Sequence, residues 1–126
     1  LDIDGWGASN KLVIVANSVL NRPTVLSDLV EMQGIRDITR EELLQARSEG
    51  KAIKLLATAV RRGDDYELAV RPTPLASSHP MAGVGLWDMG VIYYTDTMGN
   101  IRAIVEEKGA LPTAAAVLSD MINACR

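Results

Sequence analysis

The sequence predicts an α+β protein: a mostly antiparallel or mixed open sheet with helices packed on one face. Three observations carry that expectation. Runs of period-two alternation are paired across short polar turns, the pattern of antiparallel hairpins. Segments of helical period lie before and after them. Helices and strands are segregated along the chain instead of alternating, which points away from a parallel α/β fold. At 126 residues the whole chain, 1–126, reads as one domain able to bury a core without staples.

The elements follow in order. Leu1 to Asn10 is loop-like, holding Asp2, Asp4, Gly5, Gly7, Ser9 and Asn10. Leu12 to Leu20 follows. Leu12, Val15, Ala16 and Val19 fit a helical face, and the β-branched residues of Leu12–Ala16 also fit a buried strand. Length favours a helix, buried on more than one side and closed by Asn21 and Pro23. Asn21 to Arg36 reads as irregular. Thr39-Arg40-Glu41-Glu42 is a capping box. It opens a helix whose apolar face is Leu43, Leu44 and Ala46, and Gly50 stops it.

After Gly50 the period becomes two. In Lys51–Arg61, Ile53, Leu55, Ala57 and Ala59 point one way, and Lys54, Leu56, Thr58 and Val60 the other. Gly63-Asp64-Asp65 is a turn, and Tyr66–Arg71 returns. Pro72 and Pro74 are expected to end that strand, because proline removes ladder donors. After a connection, Val84–Thr95 reads as a strand in which Gly85 and Gly90 mark bulges or close backbone approaches. Asp96–Asn100 turns the chain into Ile101–Glu106. Thr113–Cys125 is an amphipathic helix with Pro112 at its start and Val117, Leu118, Met121, Ile122 and Cys125 at helical spacing.

Composition narrows the function. Thirteen Lys+Arg stand against sixteen Asp+Glu, a net charge of −3, which argues against nucleic acid as a partner. Cys125 is the single cysteine and cannot form an internal disulfide, consistent with a reducing, cytoplasmic setting. His79, the single histidine, cannot build a zinc cage, so no metal is expected. No apolar run reaches the ~18 residues of a membrane span. The chain opens on Leu1, not Met, which predicts a processed or excised piece, and no signal peptide is visible.

Three local patterns invite chemistry. Gly83-Val84-Gly85 hints at a phosphate loop, but Asp88 occupies the third glycine position of the dinucleotide fingerprint and a strand follows where a helix is needed. Ser77-Ser78-His79-Pro80 places a hydroxyl beside a base, yet triads are spatial, not sequential; a polar turn accounts for it. Asp2, Asp4 and Lys11 gather charge ahead of an apolar helix. They read either as a proton-transfer lysine among carboxylates or as a surface salt bridge.

The segment LDIDGWGASNKLVIVAN resembles the signature that opens the substrate domain of homoserine dehydrogenases: Asp, two residues, Gly, one residue, Asp, three residues, Lys, then an apolar helix. GIRDIT with the Thr39 helix and GKAIKLLATA, then RPTPLASSHPMAGV, YYTDTMG and PTAAAVLSDMI, resemble later stretches of that family in the same order. The resemblance implies interconversion of homoserine and aspartate semialdehyde with NAD(P), in amino-acid biosynthesis. It implies an N-terminal dinucleotide-binding domain, a small amino-acid-like substrate and a homodimer. By position it makes Asp2 and Gly5 substrate-binding, Lys11 both substrate-binding and catalytic through proton transfer, and Gly109, Ala110 and Thr113 cofactor-binding.

Three departures qualify what is implied. Gly7 stands at the signature's second aspartate. The turn before the closing helix reads EEKGALPT, with Glu106, Glu107 and Lys108 crowding a position near the cofactor. The dinucleotide-binding domain is not among these residues. The chain alone is therefore expected to be inactive and not to hold NAD(P), with a separate dinucleotide-binding domain as partner. The alternative is a degenerate, non-catalytic module kept for self-association or small-ligand binding.

Overall fold

The structure is a computed structural model that describes residues 3–106 and 108–126. The elements are α1 (Trp6–Ser18), a 3-10 turn (Leu26–Asp28), β1 (Glu31–Met32), α2 (Arg40–Ser48), β2 (Lys51–Arg62), β3 (Asp65–Ala76), β4 (Asp88–Tyr94), β5 (Asn100–Glu106) and α3 (Leu111–Ala124). The mixed α+β class with small open sheets is as expected. Two compact units divide at Ala82 and Gly83.

In the first unit a three-stranded sheet runs β1-β3-β2. β2 and β3 form the expected hairpin, in unbroken register from Lys51↔Ala76 to Arg62↔Asp65 around Gly63-Asp64. The alternation along the strands decides which face is buried. Leu55 and Ala59 of β2, with Tyr66, Leu68 and Val70 of β3, meet Leu12 and Ala16 of α1. Leu68, Val70 and Ala16 are fully buried. Burying Leu68 or Val70 contributes about 2 kcal/mol each. Ala46 is the buried residue of α2, and it shares a cleft with Ile53, Pro72 and Pro74. By parity these lie on the face that α1 covers, so both helices pack on one side of the sheet.

Several details differ from the sequence reading. The first helix begins at Trp6, because Gly5 takes a left-handed φ of 81° and turns the chain directly into it. It is buried on one stripe only, Ser9, Leu12 and Ala16, at spacings of one face, while Ile14 is 64% exposed. In α2, Leu43 and Leu44 are exposed and Ala46 alone of the three is buried. The missed strand β1 is two residues long; one short parallel pairing leaves too little periodicity to read.

Pro72 and Pro74 do not end β3. They pair with Leu55 and Ile53 in regular register. The Leu68 and Val70 carbonyls accept from the amides of Val30 and Gln33, at 2.9 and 2.8 Å, so even-numbered residues of β3 turn their backbone groups toward β1. That parity carries Pro72 and Pro74 to the same side, beyond the end of β1. The missing N–H groups therefore cost no bond to β2.

The second unit holds the antiparallel pair β4–β5 and α3. Gly90 pairs with Ile104 in continuous register, so it marks no bulge. Gly85 precedes the strand and marks a close approach instead: its amide donates to Asp88 Oδ2 at 3.0 Å. Val117, Leu118, Met121 and Ile122 of α3 are all exposed. No described helix is long and apolar enough to cross a membrane.

Candidate functional site

Residues 3–5 run beside residues 33–36, which bond Ile3 and Asp4 and crowd Gly5. The Ile35 amide donates to the Ile3 carbonyl at 2.7 Å. Arg36 grips Asp4 with two bonds, Nε to Oδ1 at 2.9 Å and Nη2 to Oδ2 at 3.0 Å. Gly5 is buried, and a Cβ there would stand 3.3 Å from the Gln33 carbonyl oxygen and 3.5 Å from Val70. Gly34 has no room for a side chain at all: a Cβ would lie 2.1 Å from the Ile3 carbonyl oxygen and 2.5 Å from the Asp4 Cα. The guanidinium bonds hold the Asp4 carboxyl below its ordinary pKa and raise that of Arg36.

Gly5 is the N-cap of α1 and Lys11 lies in its second turn, exposed. The lysine is thus inside the helix, not at its mouth, because the helix starts earlier than the apolar period suggested. Positions 7 and 11 are four apart and share a helix face. A carboxylate at 7 would sit one turn before the ammonium; Gly7 supplies none. Among the described residues no carboxylate pairs with Lys11. Asp4, the other candidate, is engaged by Arg36. Asp2 lies outside the described residues, so the gathering of Asp2, Asp4 and Lys11 reduces here to Asp4 turned elsewhere.

The residues expected to approach a cofactor are in the second unit. Ala110 is the N-cap of α3 and carries no side-chain cap, and Pro112 occupies the first turn. Gly109 takes a positive φ of 80°, and Thr113 is exposed in the first turn. Glu106 is paired with Lys108, which neutralises one of the two acidic residues of that turn; Glu107 lies outside the described residues. The described residues do not fit the phosphates of a dinucleotide at Gly83–Gly85. The Gly85 amide is taken by the Asp88 carboxylate, which would also stand 2.9 Å from any Cβ there, and a strand follows.

Other candidates resolve into structure. The His79 ring accepts from the Met81 amide at 3.1 Å, and the Ser77 amide donates to Gly50. Among the described residues no bond joins a serine hydroxyl to the ring, so the segment is the polar turn expected. No group of three or more His, Cys, Asp or Glu among the described residues is placed to hold a metal. A cleft of about 340 Å³ lies under α2, lined in part by Gln33, Asp37, Gln45 and Ile53. It shares with the signature loop's surroundings the residue Gln33, whose carbonyl faces Gly5. Two of its carboxylates are already engaged, Glu42 by Thr39 and Glu49 by Lys51.

Sequence reasoning missed Gly34 and Arg36. The family-like stretch GIRDIT contains both, but nothing local gave them a role.

Comparison with known proteins identifies the family. The family model described as homoserine dehydrogenase matches residues 1–122. A homoserine dehydrogenase of Synechocystis sp. is 37% identical over 97% of this chain and 29% of its own length. An NAD(+)-dependent homoserine dehydrogenase of Pseudomonas canavaninivorans is 28% identical over 97% of this chain and 35% of its own length. The crystal structure of a homoserine dehydrogenase from Thiobacillus denitrificans superposes with a TM-score of 0.87 at 31% identity, covering 95% of this chain and 28% of that one. The chain therefore spans about a third or less of the relatives it matches. With the family model over residues 1–122 and a relative 37% identical along 97% of the chain, the chain belongs to the homoserine dehydrogenase family.

Proposed function

We propose that this chain is the substrate-binding and dimerisation domain of an NAD(P)-dependent homoserine dehydrogenase. The observation that carries the reading is Lys11: an exposed ammonium side chain on a helix whose start is pinned by the buried Gly5 and the 33–36 segment. NAD(P), when bound, supplies the hydride acceptor or donor. Gly109, Ala110 and Thr113 would contribute to holding it, together with a separate dinucleotide-binding domain. This chain's residues do the rest. Asp2 and Gly5 hold the small amino alcohol. In the oxidation direction the neutral amine of Lys11 would take the hydroxyl proton as the carbinol carbon passes its hydride to the oxidised nicotinamide; in the other direction the ammonium so formed would return that proton to the alkoxide.

Two measurements test this. L-homoserine added to the chain shifts the backbone amide resonances of Gly5 and Lys11 in a saturable way. With a dinucleotide-binding domain supplied, turnover appears, and Lys11→Ala lowers kcat about a hundredfold or more. Unmoved resonances, or turnover indifferent to Lys11→Ala, sink the proposal.

Gly7 favours a second reading, a non-catalytic module on the same fold. The absent carboxylate would have faced Lys11 across one helical turn. Gly7→Asp separates the two readings: it tightens homoserine binding if the site is a working one and changes nothing if the fold serves association alone.

A further inference from the structure

We infer that Arg36 is a positioning residue for the substrate end of this site, acting through Asp4 and the backbone of residues 3–5. The inference rests on the proposed function, because it assigns Arg36 to the loop on which that function depends. Three contacts of different kinds converge on one short segment. Arg36 holds the Asp4 carboxylate with a two-pronged grip, a geometry that fixes orientation as well as distance. The Ile35 amide bonds the carbonyl of Ile3, the residue immediately after Asp2. Gly34 lies so close to Ile3 and Asp4 that the two backbones are in direct contact.

Together they set where the signature loop runs and where α1 begins. Lys11 is tied to that starting point by the helix. Asp4 occupies neither acidic position of the signature, and Arg36 is 32 residues away in sequence. Both side chains are more than half exposed or nearly so, at 64% for Arg36 and 50% for Asp4. An exposed pair of this kind adds little to global stability, so its effect falls on the local geometry of the loop. Arginine suits the role because its planar fork matches a carboxylate; a lysine offers a point charge instead.

The test uses the chain as it stands, with L-homoserine as the probe. Arg36→Gln is expected to weaken homoserine binding about fivefold, the upper range for losing an exposed ion pair. Hydrogen exchange at the Ile35 amide accelerates, and the thermal midpoint stays close to that of the parent chain. Arg36→Lys recovers part of the affinity. Asp4→Asn reproduces the effect, and the double variant is no weaker than either single one, as expected of two groups acting through each other. If Gly5 and Lys11 still respond to homoserine and Arg36→Gln binds it as the parent does, the positioning role is wrong and the proposed function stands. If the parent chain itself gives no response at Gly5 and Lys11, the proposed function fails and the positioning role falls with it. Faster exchange at Ile35 in that case would leave Arg36 as a purely structural clasp.

Discussion

Gly34 shows how much of this site depends on one hydrogen atom in place of a methyl group. A β-carbon there would meet the Ile3 carbonyl oxygen at 2.1 Å and the Asp4 Cα at 2.5 Å, and both obstacles are backbone that cannot rotate away. Gly34→Ala is expected to cost about 3 kcal/mol, the upper end of ordinary overpacking, which is a large share of the ~5–15 kcal/mol that holds a domain folded. Urea denaturation measures it, and an unchanged midpoint would mean the two strands of backbone can part without penalty. This glycine was not legible in the sequence. Glycine in an irregular stretch reads as a turn, and the residue it must avoid is more than thirty positions away. Asp2, Gly5 and Lys11 could be singled out as candidates because their spacing is local and resembles a family pattern. The partner of Asp4 was not, since no pattern joins it to Arg36. The place of Lys11 within α1 was not legible: Gly7, Ser9 and Asn10 hide a helical turn that Gly5 starts.

Among the elements, α2 is the one whose ends the sequence declared most fully. The Thr39 hydroxyl accepts from the Glu42 amide at 3.2 Å, and the Glu42 carboxylate accepts from the Thr39 amide at 2.7 Å. That amide, with the Thr39 hydroxyl, holds the Glu42 carboxyl below its ordinary value. At the other end Lys51 and Gln45 do the same to Glu49, and in the hairpin tip Arg22 and the Tyr66 amide do so to Asp65. Each lowered value means that the unfolded chain binds more protons than the folded one as acid is added. Their stabilisation is complete above about pH 4.5 and drains away as the pH falls through the lowered values. Thermal melting between about pH 5 and about pH 3 should therefore fall more steeply for the parent chain than for Glu42→Gln. Parallel curves would remove Glu42 from the account. The β2–β3 hairpin was equally legible, because period-two alternation runs on both sides of a short polar turn. Its length was not. Whether a proline ends a strand depends on which side its backbone faces, and that is settled by a partner strand that the sequence hardly announces.

For the molecule as a whole, the exposed apolar side chains are the informative feature. Val117, Leu118, Met121 and Ile122 on α3, and Ile101, Ile104 and Val105 on β5, are each at least two-fifths exposed. Their periodicity was visible in the sequence; what covers them was not, since periodicity marks an apolar face without naming its partner. Surfaces of this kind are usually buried by association, and twofold dimers are the commonest closed form. Light scattering is expected to return a mass twice that of the 13.6 kDa chain. A monomer at high concentration would leave these residues for a different domain to cover.

Past the end of β1, the outer margin of β3 presents Pro72 and Pro74. A margin of that composition offers oxygens and no hydrogens for several residues. An incoming extended peptide has to receive bonds as well as give them, so a neighbouring molecule finds no template there for adding itself strand upon strand. The two prolines thus leave this one margin of the sheet open without inviting runaway stacking into fibrils along it.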